Sequence, residues 1–177
     1  MKKILSTAAL LAVTLIAPLA QGQVKKSEVP GVTNFAQVET TVACAGAVTP
    51  SSVAGIKRMG FASIINLRLA DEKGADIDAE AAAAKEAGIA FVHIPMNGAK
   101  PDPAVADKFM QTITSPGTSP AFIHCASGNR AAAMWMIKRG LVDKWDIDRA
   151  AEEAGQLGLP SEALKKFATD YITSHKK

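Results

Sequence analysis

Hydrophobic and polar positions alternate along the chain in two distinct patterns. Short apolar runs rich in Val, Ile and Phe are bounded by Gly, Asn or Asp, which is typical of buried strands. Between them lie alanine-rich or amphipathic stretches that stop at a glycine or shortly before a proline, as helices do. The patterns predict strands at 40–44, 61–67, 89–95 and 121–124, and helices at 49–59, 78–87, 104–113, 130–139, 145–157 and 161–175.

The alternation of strands and helices indicates an α/β fold. Each stretch between consecutive predicted strands is long enough for a right-handed parallel crossover. We therefore expect a small, mostly parallel sheet flanked by helices on both faces. The charged segment 24–28 predicts a loose lead-in without regular structure. A single domain over residues 23–177 accommodates all of these elements.

The first residues follow a different pattern. A pair of lysines is followed by the apolar run 4–19, and Ala20-Gln21-Gly22 offers small residues for cleavage. This arrangement is typical of a secretory signal peptide. The run is shorter than the roughly 20 residues of a membrane-spanning helix, and Pro18 interrupts it. We expect residues 1–22 to be removed and the mature chain to be periplasmic or secreted, with no membrane span.

The charge of the chain gives little indication of a macromolecular partner. Lys and Arg number 20 against 17 Asp and Glu, for a net charge of +3, so we expect no nucleic-acid partner. The three histidines, His93, His124 and His175, are scattered and show no metal-ligand spacing. We expect neither a metal nor another cofactor.

The strongest chemical signal is the segment that follows the strand 121–124. Cys125 comes directly after this strand, and Arg130 opens the next helix. Ligands in open α/β sheets bind at the carboxyl ends of the strands. Ser127 and Gly128 allow the backbone to curl so that peptide N–H groups point inward, beside the positive end of the helix. Arg130 adds a fork of donors that suits two oxygens of one oxyanion.

This segment, residues 125–130, therefore predicts an oxyanion-binding loop with its own nucleophile. The inward N–H groups, the helix end and the guanidinium favour the thiolate of Cys125, which would attack phosphorus or sulfur. We expect His124 to pack behind the loop and fix its shape. The expected partner is a small oxyanion or a phosphorylated substrate, bound by Ala126, Ser127, Gly128, Asn129 and Arg130.

These residues resemble a known superfamily. His124-Cys125-x4-Arg130 resembles the active loop of the cysteine-dependent tyrosine and dual-specificity phosphatases. The run Ile64-Ile65-Asn66-Leu67-Arg68, then Glu72 and Val92-His93-Ile94-Pro95, is similar to the phosphatase-like domain of beta-lactamase-hydrolase-like proteins. The resemblance covers roughly residues 30–142.

The resemblance implies a three-layer sandwich and a phosphatase mechanism. Cys125 would be the nucleophile, a phosphocysteine the intermediate and Arg130 the phosphate ligand. The substrate would be a phosphate monoester, with protein tyrosine, serine or threonine phosphate among the candidates.

The sequence departs from the usual phosphatase pattern in three places. Four residues rather than five separate Cys125 from Arg130, as in the subgroup, and Ala131 stands where a serine or threonine is usual. Asn97 occupies the position of the general-acid aspartate and cannot donate a proton in that role. Asp102 in the same loop is a candidate substitute, or else a solvated turn residue beside two prolines.

Arg68 and Glu72 close one strand and begin the next loop. We expect a structural ion pair between them, close enough to support the site.

Two other functions remain open at this stage. A gap of four residues is also found in rhodanese-like sulfurtransferases, whose loop carries a persulfide and which Cys125–Arg130 also resembles. Alternatively, Cys44 and Cys125 both end predicted strands, and a disulfide between them would cap the nucleophile. The chain would then be a redox-switched or catalytically weak anion-binding module.

Overall fold

The computed structural model describes residues 23–176, and the predicted signal peptide, residues 1–22, lies outside them. Six strands form one sheet in the spatial order β1-β2-β3-β6-β4-β5. The strands are β1 (Val24–Lys26), β2 (Ala36–Val38), β3 (Val42–Ala45), β4 (Ser63–Asn66), β5 (Ala90–His93) and β6 (Ala121–His124).

The last four strands of this order run parallel to one another, which confirms the predicted mostly parallel sheet. The predicted loose lead-in at 24–28 is wrong. Strands β1 and β2 are antiparallel, with Lys25 opposite Gln37, and β2 is antiparallel to β3. Both added strands are only three residues long, too short to show periodicity, so they become strands by pairing with the edge of the sheet.

Six helices cover the two faces of the sheet, which makes the fold a three-layer sandwich. A short 3-10 turn, Pro50–Ser52, precedes α1. The helices are α1 (Val53–Arg58), α2 (Ile77–Ala87), α3 (Pro103–Ile113), α4 (Asn129–Leu141), α5 (Ile147–Gln156) and α6 (Glu162–His175). Within residues 23–176, no helix has the length and apolar character that would let it cross a membrane.

Consecutive residues of β6 divide the core into two apolar layers, because strand side chains alternate between the faces. Phe122 packs with α1 and α2, where it lies against Phe35 and Phe61 with ring centroids 6.1 and 5.5 Å away. Ile123 points to the opposite layer, beneath α3 to α6. Because both faces of β6 are packed in these layers, the position and direction of the strand are fixed, and with them the start of the segment that follows it.

Helix α4 lies in the middle of the second layer and is buried along most of its length. It can approach α6 closely because position 140 is a glycine: a Cβ there would lie 2.7 Å from Ile172. This packing anchors the helix whose first turn carries the candidate site.

Candidate active site

The segment between β6 and α4 forms a tight loop, called here the cysteine loop (residues 125–130). Gly128 adopts φ 100°, a left-handed conformation that a side chain would disfavour, and it directs the chain into α4. Helix α4 is 13 residues long, and its first turn faces the loop. The partial positive charge of its N-terminus therefore acts on the cysteine loop.

Two carbonyl groups of the cysteine loop point away from its centre. The oxygen of Ala126 accepts the N–H of Ala47 at 3.0 Å. The oxygen of Ser127 accepts the side-chain amide of Asn34 at 3.2 Å. With their oxygens held by neighbouring segments, these peptide units turn their N–H groups toward the centre.

Four of the six amide N–H groups of the cysteine loop are unused. Those of Ala126, Ser127, Asn129 and Arg130 donate to no acceptor within residues 23–176. The amide of Gly128 donates to the sulfur of Cys125 at 3.2 Å. Unpaired amide donors converging on one point form a site for an anion.

The Cys125 side chain forms the floor of this loop and is fully buried. Ala131, also buried, offers no hydroxyl group to stabilise a thiolate. The donor that contacts the sulfur is instead the backbone of Gly128. The sulfur therefore has one hydrogen bond, the N-terminus of α4 and the Arg130 guanidinium in its surroundings.

Arg130 is held by two segments of the chain, the one that follows β4 and the one that follows β5. Its Nη1 donates to the carbonyl oxygens of Leu67 at 3.1 Å and Met96 at 2.8 Å. Nη1 and Nη2 also grip the two carboxylate oxygens of Glu72, the Nη2 bond measuring 2.9 Å. A guanidinium has five N–H donors, so the Nε–H and one Nη2–H remain. They lie along one edge and suit two oxygens of a phosphate.

Glu72 connects two arginines to the backbone. Besides Arg130, it accepts the Nε–H of Arg68 at 3.3 Å, as the expected ion pair requires, and the amide of Leu69 at 2.9 Å. The hydrogen bond from Arg130, followed by the Leu69 amide and the charge of Arg130, lowers the pKa of Glu72 to about 2 against burial. Burial also works against the Arg130 cation, but Glu72 and Cys125 outweigh it and raise the pKa of Arg130.

Arg68 does not line the site. Its guanidinium donates to the carbonyl oxygens of Gly74 at 2.9 Å and Lys73 at 2.7 Å, which closes the segment after β4 around Glu72. Arg68, which was predicted to support the site, therefore contacts Glu72 and affects Arg130 only through that carboxylate.

His124 lies behind the cysteine loop in a buried polar network. Its Nε2 contacts Oε1 of Glu80 at 2.7 Å, and Glu80 Oε2 accepts the Asn66 amide at 2.8 Å. Our sequence reasoning missed Glu80. The signal was helical spacing: Glu80 lies one turn before the buried Ala84, on the inner face of α2, where an unpaired carboxylate would be costly.

Opposite the cysteine loop lies the segment between β5 and α3, called here the facing loop (residues 94–102). The side-chain oxygen of Asn97 accepts the amides of Ala99 at 2.9 Å and Lys100 at 3.1 Å. Asp102 caps α3 by accepting the Ala104 amide at 2.9 Å, and it does not line the cavity at Arg130. The structure thus places the candidate general acid outside the site, because its carboxylate is used to begin a helix.

The suggested disulfide between Cys44 and Cys125 is not formed. Both cysteines are free and buried. In the parallel pair β3–β6, Cys44 lies opposite Ile123, so Cys125 is its diagonal neighbour. The strand spacing and the rise of two residues put diagonal Cα atoms roughly 8 Å apart, beyond the usual span of about 6.8 Å for a disulfide. Burial, with the charges of Cys125 and Glu153, raises the pKa of Cys44 and keeps it a thiol.

Two adjoining cavities meet at the cysteine loop. The smaller, about 470 Å³, lies between the cysteine loop and the facing loop. The larger, about 1130 Å³, extends between segment 26–35 and the connection from α5 to α6. Ser127 and Asn129 line both, so the two form one continuous groove that leads to the cysteine loop. Residues 23–176 contain no cluster of three His, Cys, Asp or Glu side chains that could hold a metal ion.

Comparison with known families agrees with this geometry. The profile of the "Beta-lactamase hydrolase-like protein, phosphatase-like domain" matches residues 34–142, more than half of the chain. The chain belongs to this family. The beta-lactamase hydrolase-like protein of Xylella fastidiosa (strain Temecula1) is 31% identical over 102 residues, which cover 56% of this chain. The match spans only 23% of that relative, so the family domain is one part of a longer protein there.

Solved structures share the fold of the family. TpbA from P. aeruginosa superimposes with a TM-score of 0.65 at 19% identity, covering 86% of this chain and 90% of that one. The core catalytic domain of the PP-IP phosphatase SIW14 from S. cerevisiae gives a TM-score of 0.65 at 18% identity, with 81% and 88% covered. At these identities the likeness establishes the α/β sandwich of cysteine phosphatases.

Proposed function

We propose that the chain hydrolyses phosphate monoesters with Cys125 as nucleophile and Arg130 as the phosphate ligand. The observation that carries this proposal is the set of unused donors above the Cys125 sulfur. Four backbone amides and two guanidinium N–H groups are free around one point, and each needs an oxygen. A phosphoryl group carries three such oxygens, and the Cys125 sulfur lies beside the same donors, in contact with the Gly128 amide.

The reaction proceeds in two steps. In the first, the Cys125 thiolate forms a bond to phosphorus, the bond from phosphorus to the ester oxygen breaks, and that oxygen takes the electron pair. In the second, water attacks the phosphocysteine and the electron pair of the sulfur–phosphorus bond returns to the thiolate. The amides and Arg130 stabilise the charge on the equatorial oxygens in both steps.

Two structurally similar proteins that were crystallised with a ligand support phosphate esters as the substrate class. A cysteine-to-serine variant of TpbA was crystallised in complex with pTyr, and the SIW14 domain with citrate, an oxyanion. The continuous groove leaves room for the alcohol part of the ester beyond the cysteine loop.

The test is phosphate release from 4-nitrophenyl phosphate by the full chain under reducing conditions. The proposal expects turnover that Cys125→Ser reduces by roughly 10⁴-fold or more, with an unchanged melting temperature. Cys44→Ser is the matched control, since Cys44 is the other buried thiol and lies on β3 rather than in the cysteine loop. Formation of thiocyanate from thiosulfate and cyanide, without phosphate release, would instead assign a sulfurtransferase.

A further inference from the structure

Three of the four carboxyl groups in the two segments that flank the site already bind other groups of the protein. After β4, Glu72 is bound by Arg130 and Arg68, and Asp76 caps α2 by accepting the Ala79 amide at 3.0 Å. In the facing loop, Asp102 caps α3. The remaining carboxyl, Asp71, is exposed and does not line the cavity at Arg130.

The cavity at Arg130 is lined by donors that cannot give up a proton. Among the described residues, Glu72 is its one carboxyl, and two arginines hold it as a carboxylate. Besides the Arg130 guanidinium, the other polar side chains are the hydroxyl and amide groups of Ser127, Ser161, Asn97 and Asn129. Such groups form hydrogen bonds, but they are far too weak as acids to protonate a departing oxygen near neutral pH.

Among the described residues, the titratable side chains of the adjoining larger cavity are those of Lys26 and Glu28. Both lie on the exposed N-terminal segment, outside the cavity at Arg130. Within the part of the chain that the structure describes, the cavity at Arg130 thus combines the groups needed for attack at phosphorus with no side chain suited to protonate the leaving group.

We propose that the leaving group departs from this site unprotonated, which limits the substrates to phosphate esters of phenols and to phosphoanhydrides. The proposal rests on the phosphatase function above. As the bond from phosphorus to the leaving oxygen breaks, the electron pair stays on that oxygen, and water protonates it afterwards. A phenol has a pKa of about 10, so a phenolate is an adequate leaving group. An aliphatic alkoxide is a far stronger base than a phenolate, nearly as basic as hydroxide, and it needs a proton to leave.

The experiment measures kcat/KM of the full chain against a series of leaving groups. The series contains substituted phenyl phosphates, a phosphotyrosine peptide, the same peptide with phosphoserine, and inorganic pyrophosphate. We expect kcat/KM to fall steeply as the pKa of the phenol rises. The phosphoserine peptide should be hydrolysed at least about a hundredfold more slowly than the phosphotyrosine peptide, the minimum usually assigned to general-acid catalysis.

Comparable rates for the phosphotyrosine and phosphoserine peptides would overturn this inference while leaving the phosphatase function intact. No phosphate release from any member of the series would overturn the phosphatase function itself. The two failures are therefore distinguishable in one data set.

Three variants test directly for a hidden general acid: Glu28→Gln, Asp71→Asn and Asp102→Asn. Asparagine caps helices as well as aspartate does, so Asp102→Asn keeps α3 intact. With phenyl phosphate, whose leaving group is most sensitive to an acid, we expect each variant to stay within about threefold of the parent. A loss of about a hundredfold in any one of them would identify that residue as the acid and refute the inference.

Discussion

The cysteine loop and the facing loop line opposite sides of one cavity, but their polar groups are hydrogen-bonded in opposite ways. In the cysteine loop, neighbouring segments bind the carbonyl oxygens, and four amide donors remain free. In the facing loop, Asn97 and Asp102 bind amides of their own segment. One loop has unused binding capacity, whereas the other uses its polar side chains for its own folding. The contrast suggests that the site binds and attacks phosphate well but contributes little to the departure of the alcohol.

The largest effect is expected from changing the binding groups of the cysteine loop. Arg130→Lys removes the two parallel donors that Nε–H and Nη2–H provide. A lysine ammonium cannot bind Glu72 and also present two parallel donors to a phosphate. We expect kcat/KM for 4-nitrophenyl phosphate to fall at least about a hundredfold. Steady-state kinetics check this, with Arg58→Lys on the exposed end of α1 as control. A change of less than about threefold would show that Arg130 does not hold the phosphoryl group.

The support behind the cysteine loop gives the next effect. Glu80→Gln keeps the shape of the side chain but removes one acceptor. Whichever orientation the new side-chain amide and the His124 ring adopt, one buried N–H of the network is left without an acceptor. We expect a loss of about 1–3 kcal/mol in the free energy of unfolding.

Urea unfolding at pH 7 measures this loss. Glu86→Gln, an exposed position on the same helix, is the control and should change stability by less than about 0.5 kcal/mol. Equal stabilities of the two variants would mean that the buried network contributes nothing.

The Glu72 contact with Arg130 makes part of the stability dependent on pH. Its pKa is about 2 in the folded protein against an ordinary value of 4.5. Because the pKa is lowered on folding, the ionised Glu72 carboxylate stabilises the folded protein fully above pH 4.5. This stabilisation is lost as the pH falls through 2. Melting temperatures of the parent protein and Glu72→Gln should therefore differ at pH 7 and converge between these limits. Curves that stay parallel over this range would refute the role of the carboxylate.

The smallest effect is expected in the facing loop. Asn97→Ala leaves the amides of Ala99 and Lys100 to water, which can reach this exposed turn. We expect a loss of about 0.5–1 kcal/mol of stability and kcat/KM within about threefold of the parent. A kinetic loss of about a hundredfold would instead place Asn97 in the chemistry and remove the contrast between the two loops.

The regular parts of the fold were predictable because their signals are local. Strand β6 was predicted at 121–124 and lies there, and the following helix begins one residue earlier than expected. The strands β1 and β2 were missed, since a three-residue strand is stabilised by its partner rather than by its own pattern.

The candidate site was predictable only in part. Cys125 and Arg130 are five residues apart, joined by a strand end, a glycine and a helix start, so their meeting follows from local geometry. The proposed acid Asp102 is also close in sequence to the matching position, but capping α3 determines its direction. A capping role and a catalytic role have the same sequence signature, an aspartate before a helix, and only packing separates them.

By itself, the sequence determined the α/β alternation and the cysteine loop with its thiol and guanidinium groups, because each depends on neighbours along the chain. The tertiary structure decided which groups complete the site. Glu72, Glu80 and Asn34 lie 58, 44 and 93 residues away from the residues they bind in and beside the cysteine loop. They meet there because parallel strands bring their carboxyl ends to one edge of the sheet and the helices pack over it. Such contacts depend on the register and packing of the whole sheet, which no local pattern encodes.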